Sequence, residues 1–153
     1  MLLGISPRSK TEEIIEALRN SSNQYHLTGS RYFGGSTETS DWDFFVQSSD
    51  NVRDELDKLG FIVIPRPDKN DDDRYYPHSV TQVWSDDSID YFDRNCVMVV
   101  GSNAAPIHIQ LVKDVQKKLK VQANLMRSGA LRHIKTKGDR KRVWNMCFDL
   151  LDG

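Results

Sequence analysis

The sequence has few cysteines and no long apolar run. Its two cysteines, Cys96 and Cys147, are too few for a disulfide scaffold, and their spacing to each other and to the four histidines fits no common metal site. No apolar run approaches the roughly 20 residues that a membrane helix needs. The first residues also lack the basic and apolar regions of a secretory signal. We therefore expect a cytoplasmic protein with reduced thiols and no membrane partner.

The charged residues are distributed unevenly over the 153 residues. Residues 1–112 carry 10 basic and 18 acidic side chains, whereas residues 113–142 carry 11 basic side chains and two acidic ones. Such a basic segment is typical of a surface that contacts a polyanion, and it is equally compatible with a solvated helix face. Under the first interpretation, Lys137, Arg140 and Lys141 are candidates for contact with nucleic acid or phosphate, and RNA is a possible partner.

Helix signals occur twice in the first 60 residues. Thr11 precedes two glutamates and an apolar stripe, so its hydroxyl is expected to cap the first helix. Ser48 or Ser49 is expected to cap a second helix over Val52–Leu59, which should end at Gly60 in a left-handed conformation.

Apolar runs predict six strands, and two amphipathic stretches predict helices near the C-terminus. The strands are expected at Tyr25–Thr28, Asp43–Val46, Phe61–Ile64, Ser79–Trp84, Cys96–Val100 and Ile107–Val112. Residues 65–78 predict a polar loop. The last two helices are expected near Asp114–Arg127 and Lys141–Leu151, and the wide apolar stripe of the second predicts that it packs on the body. This order predicts one α/β (α+β) domain in which a mixed β-sheet is flanked by helices, with a core over 1–112 and a basic helical C-terminal extension over 113–153.

Two acidic residues close in sequence are the main candidates for chemistry. Asp41 and Asp43 are two positions apart on a predicted strand, so both carboxylates project from one face while Trp42 and Phe44 point into the core. Two adjacent carboxylates repel each other unless a cation lies between them. Mg²⁺ or Mn²⁺, which prefer oxygen ligands, would resolve this repulsion. The simpler alternative is a strand rim with two solvated acids.

A glycine-rich bend precedes the acidic pair. Gly29 and Ser30 end a predicted strand, and their backbone N–H groups and the serine hydroxyl suit phosphate oxygens. Arg31 is a further candidate, because a guanidinium pairs well with phosphate. Ordinary turn chemistry and a surface arginine are the alternatives for these three residues.

The bend and the acids together resemble the pattern of the polymerase-beta-like nucleotidyltransferase superfamily. That pattern is an apolar residue followed by Gly and Gly or Ser, a gap, and then acid–apolar–acid–apolar. Here it covers Thr28–Ser30 and Asp41–Phe44, separated by the 10 residues 31–40. The resemblance implies a mixed sheet, a metal held by the two aspartates, and a nucleoside triphosphate whose phosphates contact the Gly-Ser pair. It further implies transfer of a nucleoside monophosphate to a hydroxyl acceptor, with release of pyrophosphate.

One position departs from the superfamily pattern, which has a third carboxylate on a later strand. The corresponding strand here is Ile107–Val112, where that position is His108, while Asp90 lies among other acids in a loop-like segment. An imidazole can ligate a metal or accept a proton, so His108 is a candidate catalytic residue. The missing carboxylate also leaves open a catalytically impaired nucleotide-, nucleic-acid- or protein-binding module. A small nucleic-acid-binding protein with an incidental Asp-x-Asp pair is the third alternative.

Overall fold

The computed structural model describes residues 10–65, 81–85, 95–99 and 105–150. The chain divides into two compact units, Met1–Lys113 and Asp114–Gly153. Most of the polar loop predicted over residues 65–78, and the acidic segment that contains Asp90, lie outside the described residues. Within the described part, no helix is both long enough and apolar enough to cross a membrane.

The first unit is a mixed β-sheet with helices, which confirms the predicted α/β class. In chain order its elements are α1 (Thr11–Arg19), β1 (His26–Thr28), α2 (Ser30–Phe33), β2 (Trp42–Gln47), α3 (Asp50–Leu59), β3 (Ile62–Pro65), β4 (Thr81–Ser85), β5 (Asn95–Val99) and β6 (Ile107–Val112). The described strands are ordered β1-β2-β6-β4-β5-β3. Strand β6 is parallel to both β2 and β4, and the other neighbours are antiparallel.

One face of the central strands forms the hydrophobic core. Alternate residues of β2 and β6 point to this face, where they meet the apolar sides of α1 and α3. The buried members are Ile14, Ile15, Leu18, Phe44, Val46, Val52, Leu56, Phe61, Val83, Ile107, Ile109 and Leu111. Because neighbouring residues of a strand point to opposite faces, Asp43 and His108 project from the other face of the sheet.

The start of α3 confirms one predicted cap, whereas the prediction for α1 is wrong. Ser49 Oγ accepts a hydrogen bond of 3.1 Å from the N–H of Val52, and Gly60 ends the helix with φ of 108°. In α1, Lys10 occupies the cap position without a side-chain hydrogen bond. The hydroxyl of Thr11 instead donates to the carbonyl oxygen of Ala105 over 2.7 Å. Thr11 therefore ties the helix to the segment before β6.

The second unit is helical, with elements α4 (Val115–Ser128), a short 3₁₀ helix (Ala130–His133) and α5 (Lys137–Leu150). Helix α5 begins four residues before the predicted start, because Thr136 Oγ1 accepts a hydrogen bond from the N–H of Asp139 over 3.1 Å. Met146, which falls within the apolar stripe predicted for this helix, is 60% exposed, so that stripe is not buried along its whole length. Cys147 has a free thiol.

A polar cluster connects the loop after α1 to α3. The carboxylate of Glu55 accepts hydrogen bonds from the N–H and Oγ of Ser22, from Asn23 Nδ2 and from the Tyr25 hydroxyl, over 2.6–3.0 Å. Partial burial alone would raise the pKa of Glu55, but the hydrogen bonds outweigh it and hold that pKa below its usual value. Burial, followed by the nearby Glu55 charge, raises the pKa of Tyr25. The ionised carboxylate therefore stabilises the loop.

Replacing Glu55 by alanine is expected to lower the free energy of unfolding by about 1–3 kcal/mol at neutral pH, because several donors lose their acceptor. The pKa of this group is lowered in the folded state, so its contribution is present above its usual pKa of about 4.3 and is lost as the pH falls through the folded-state pKa. Urea unfolding of the wild type and the variant at pH 7 and pH 3 measures this difference. Asp54→Ala, at an exposed position of the same helix, is the control. A difference equally large at pH 3 would contradict the account.

Candidate metal centre

The parallel pairing of β2 with β6 brings the two acids to the histidine. Asp43 is the register partner of His108, and β2 begins at Trp42, so Asp41 lies just before the strand rather than on it. The N–H of Trp42 donates to the Pro106 carbonyl oxygen over 2.9 Å, which extends the pairing to this point. His108 Nδ1 is 3.1 Å from Asp41 Oδ2 and 3.5 Å from Asp43 Oδ1.

These three side chains form a group that could hold one divalent cation. Their potential ligand atoms all lie within 4.8 Å of one another. Metal–oxygen bonds of about 2.0–2.1 Å place adjacent corners of an octahedron about 3 Å apart, which matches both distances from Nδ1. The histidine side chain is 4% exposed, whereas those of Asp41 and Asp43 are 22% and 28% exposed. The carboxylates are therefore partly open to solvent, while the imidazole is buried behind them.

The glycine-serine bend lies directly against the acid pair. Gly29 has φ of +71°, and a Cβ atom added there would come within 3.0 Å of Asp43 Cβ and Cγ and closer still to Oδ2. A side chain at position 29 is therefore excluded twice, by the backbone conformation and by the carboxylate. Thr28, the preceding residue, is the register partner of Asp43. The bend and the acids thus border the same space.

The residues that follow the glycine-serine bend form a short helix rather than a loop. Helix α2 covers Ser30–Phe33, and the N–H groups of Phe33 and Gly34 donate to the carbonyl oxygens of Gly29 and Ser30. The first N–H groups of any helix have no acceptor within that helix. In α2 they belong to Ser30 and Arg31, next to the bend. Sequence reasoning missed this turn because its glycine-rich surroundings indicate a loop.

Arg31 organises the segment that leads to the acids. Its guanidinium donates, over 2.7–3.3 Å, to the backbone carbonyl oxygens of Thr37, Glu38, Ser40 and Asp41. It also lies 4.0 Å from the ring centre of Trp42, a cation–π distance. These contacts hold the residues before β2 in place. The sequence contains no local signal for them, because they join Arg31 to carbonyl groups six to ten residues away.

Replacing Arg31 by lysine is expected to weaken divalent-metal binding about tenfold. Lysine keeps the positive charge but lacks the planar fork that donates to several carbonyl groups at once, so the backbone of Asp41 becomes less fixed. Calorimetric titration with Mn²⁺ in the absence of nucleotide measures the effect, and Arg19→Lys at an exposed position is the control. Unchanged metal affinity with weaker triphosphate binding would contradict this role and favour direct contact with phosphate.

The basic residues singled out by the sequence lie in the second unit. The side chains of Lys137 and Lys141 are outside the described part of the structure. Arg140 donates from Nη1 to the Ile134 carbonyl oxygen over 3.1 Å, so it joins the start of α5 to the preceding loop. Contact of these residues with a polyanion stays a prediction.

A cavity of about 480 Å³ lies between α1, the loop that follows it, and strands β1 and β2. Its lining includes Leu18, Tyr25, Leu27, Trp42 and Phe44. These strand residues project to the core side of the sheet, and none of the three candidate metal ligands lines the cavity. The candidate metal centre and this cavity therefore lie on opposite sides of the sheet.

Comparisons of the chain with protein-family models, with curated proteins and with solved structures gave no match.

Proposed function

We propose that the protein is a metal-dependent nucleotidyltransferase, which moves a nucleoside monophosphate from a nucleoside triphosphate to a hydroxyl acceptor and releases pyrophosphate. The observation that carries this proposal is the contact of the Gly29 bend with Asp43, which itself groups with Asp41 and His108. The same elements give the sequence its resemblance to the polymerase-beta-like superfamily. The mixed sheet supports that resemblance, because it places the two motif strands side by side.

The residues have distinct roles under this proposal. Asp41, Asp43 and His108 would hold Mg²⁺ or Mn²⁺, which when bound neutralises triphosphate charge and polarises the phosphoryl oxygens. The N–H groups and hydroxyl at Gly29 and Ser30 would contact phosphate oxygens. These contacts position the α-phosphorus for attack by the acceptor hydroxyl. A new oxygen–phosphorus bond forms there as the acceptor hydroxyl gives up its proton to solvent, and the bond from the α-phosphorus to the bridging oxygen breaks, so that pyrophosphate leaves with that oxygen.

The acceptor is proposed to be a polyanion such as RNA. Residues 113–142 carry 11 basic side chains and two acidic ones, and this excess favours binding to a phosphate backbone. A second candidate function is a nucleotide-binding module without transfer activity. It is favoured by His108, because the site has two carboxylates where the resembled superfamily has three.

A labelling experiment separates the two functions. The protein is incubated with each α-labelled nucleoside triphosphate, Mg²⁺ or Mn²⁺, and a cellular RNA pool, with a chelator as the control. Metal-dependent transfer of label to RNA is the expected result. Triphosphate binding without transfer to any hydroxyl acceptor would favour the binding module, and absence of both would contradict the metal centre.

A further inference from the structure

The candidate metal centre has an unusual ligand set for phosphate chemistry. Two of its ligand atoms are carboxylate oxygens, and the third is the imidazole nitrogen Nδ1 of His108. Mg²⁺ is bound in proteins through oxygen, holds its water molecules strongly and requires near-ideal octahedral geometry. Imidazole nitrogen binds the first-row transition metals, with Mn²⁺ the weakest of the series, more readily than it binds Mg²⁺, whereas carboxylate and phosphate oxygens suit both Mg²⁺ and Mn²⁺. We propose that this centre selects Mn²⁺ over Mg²⁺, with His108 as the residue that determines the choice.

Because of where His108 lies, a cation bound by the two aspartates cannot be surrounded by oxygen ligands alone. It lies on β6 between two parallel neighbours, with Asp43 and Gln82 as register partners. Its side chain is almost fully buried, and its Nδ1 lies 3.1 Å from Asp41 Oδ2 and 3.5 Å from Asp43 Oδ1. A cation held by Asp41 and Asp43 therefore meets nitrogen on its inner side. Water cannot replace that nitrogen without displacing a packed ring.

Charge favours the same metal. A neutral imidazole leaves the centre with two negative charges from protein, whereas a third carboxylate would supply three. Mg²⁺ depends more on anionic oxygen ligands and gains little from nitrogen. Replacing a carboxylate oxygen by an imidazole nitrogen therefore lowers the affinity for Mg²⁺ more than the affinity for Mn²⁺. The inference rests on the metal site of the proposed function and is independent of the transfer reaction.

Electron paramagnetic resonance of Mn²⁺ tests the inference without nucleotide or activity. Metal-free protein is titrated with Mn²⁺ while the signal of the free ion is followed, and Mg²⁺ is then added as a competitor. We expect the wild type to bind Mn²⁺ at least about tenfold more tightly than Mg²⁺, and His108→Asp to reduce that ratio by about tenfold or more. His133→Asp, at an exposed position, is the control and should leave the ratio unchanged.

If His108→Asp does not fold, pulsed electron paramagnetic resonance of the wild type with bound Mn²⁺ still tests the inference. Bound Mn²⁺ should show coupling to a directly coordinated ¹⁴N nucleus. Equal affinities for the two metals, absence of nitrogen coupling, or no Mn²⁺ binding would each overturn the inference. A protein that binds Mn²⁺ with nitrogen coupling but transfers no label would contradict the proposed function alone. Transfer of label with equal affinity for Mg²⁺ would contradict the metal preference alone.

Discussion

Replacement of Asp43 by asparagine is expected to lower metal-dependent nucleotidyl transfer by about a hundredfold to a thousandfold. Asparagine keeps the size of the side chain, so the packing against Gly29 is preserved. It removes one of the two negative charges and one anionic ligand, and the cation then loses its anchor beside the triphosphate. The rate of label transfer at saturating metal measures the effect.

The matched control is Asp50→Asn, which makes the same change of charge at a side chain that is 99% exposed. Its ion pair with Arg53 lies on the surface and contributes little to stability. Activity of this control should equal that of the wild type. If both variants are folded and Asp43→Asn retains nucleotidyl transfer, Asp43 takes no part in the reaction.

Replacement of Gly29 by alanine is expected to lower the free energy of unfolding by about 2–4 kcal/mol and to abolish metal binding. A non-glycine residue at φ of 71° and ψ of −157°, a backbone region that almost only glycine occupies, is strained by about 1–3 kcal/mol. The added methyl group would also collide with the Asp43 carboxylate, so the acid must leave the position in which it lies beside His108. Urea unfolding and Mn²⁺ titration of the same preparation measure the two effects.

Gly138→Ala is the control for the glycine substitution. This residue lies in α5, and an added Cβ there has no atom within 4 Å. Alanine at a helical position should raise the free energy of unfolding by up to about 1 kcal/mol and leave metal binding unchanged. A folded Gly29→Ala protein that still binds metal would show that the bend and the acid are not closely coupled.

Local patterns in the sequence were sufficient to predict the strands and one helix cap. Strand β6 has the predicted bounds, because Ile107–Val112 is a clear and mostly apolar run. Ser49 caps α3 as predicted, because a cap depends on residues three positions apart. The pairing of β2 with β6 could not be derived from spacing. Only the resemblance implied that Asp43 and His108 meet.

Contacts between distant residues account for most of what the sequence did not predict. Thr11 bonds to Ala105, which is 94 positions away, so its hydroxyl is not available as a helix cap. The Arg31 guanidinium donates hydrogen bonds to backbone carbonyl oxygens, whereas its residue type predicted contact with phosphate. The start of α5 is different, since Thr136 and Asp139 carry a local capping signal that lies before the apolar stripe from which the helix is predicted.

The most direct test of the central claim is the anomalous diffraction of Mn²⁺ in a crystal soaked with Mn²⁺ and a non-hydrolysable nucleoside triphosphate. The account predicts a peak about 2.0–2.3 Å from a carboxylate oxygen of Asp41, from one of Asp43 and from His108 Nδ1. Triphosphate oxygens should lie against Gly29 and Ser30. A peak bound by other residues, or triphosphate away from the Gly29 bend, would contradict it.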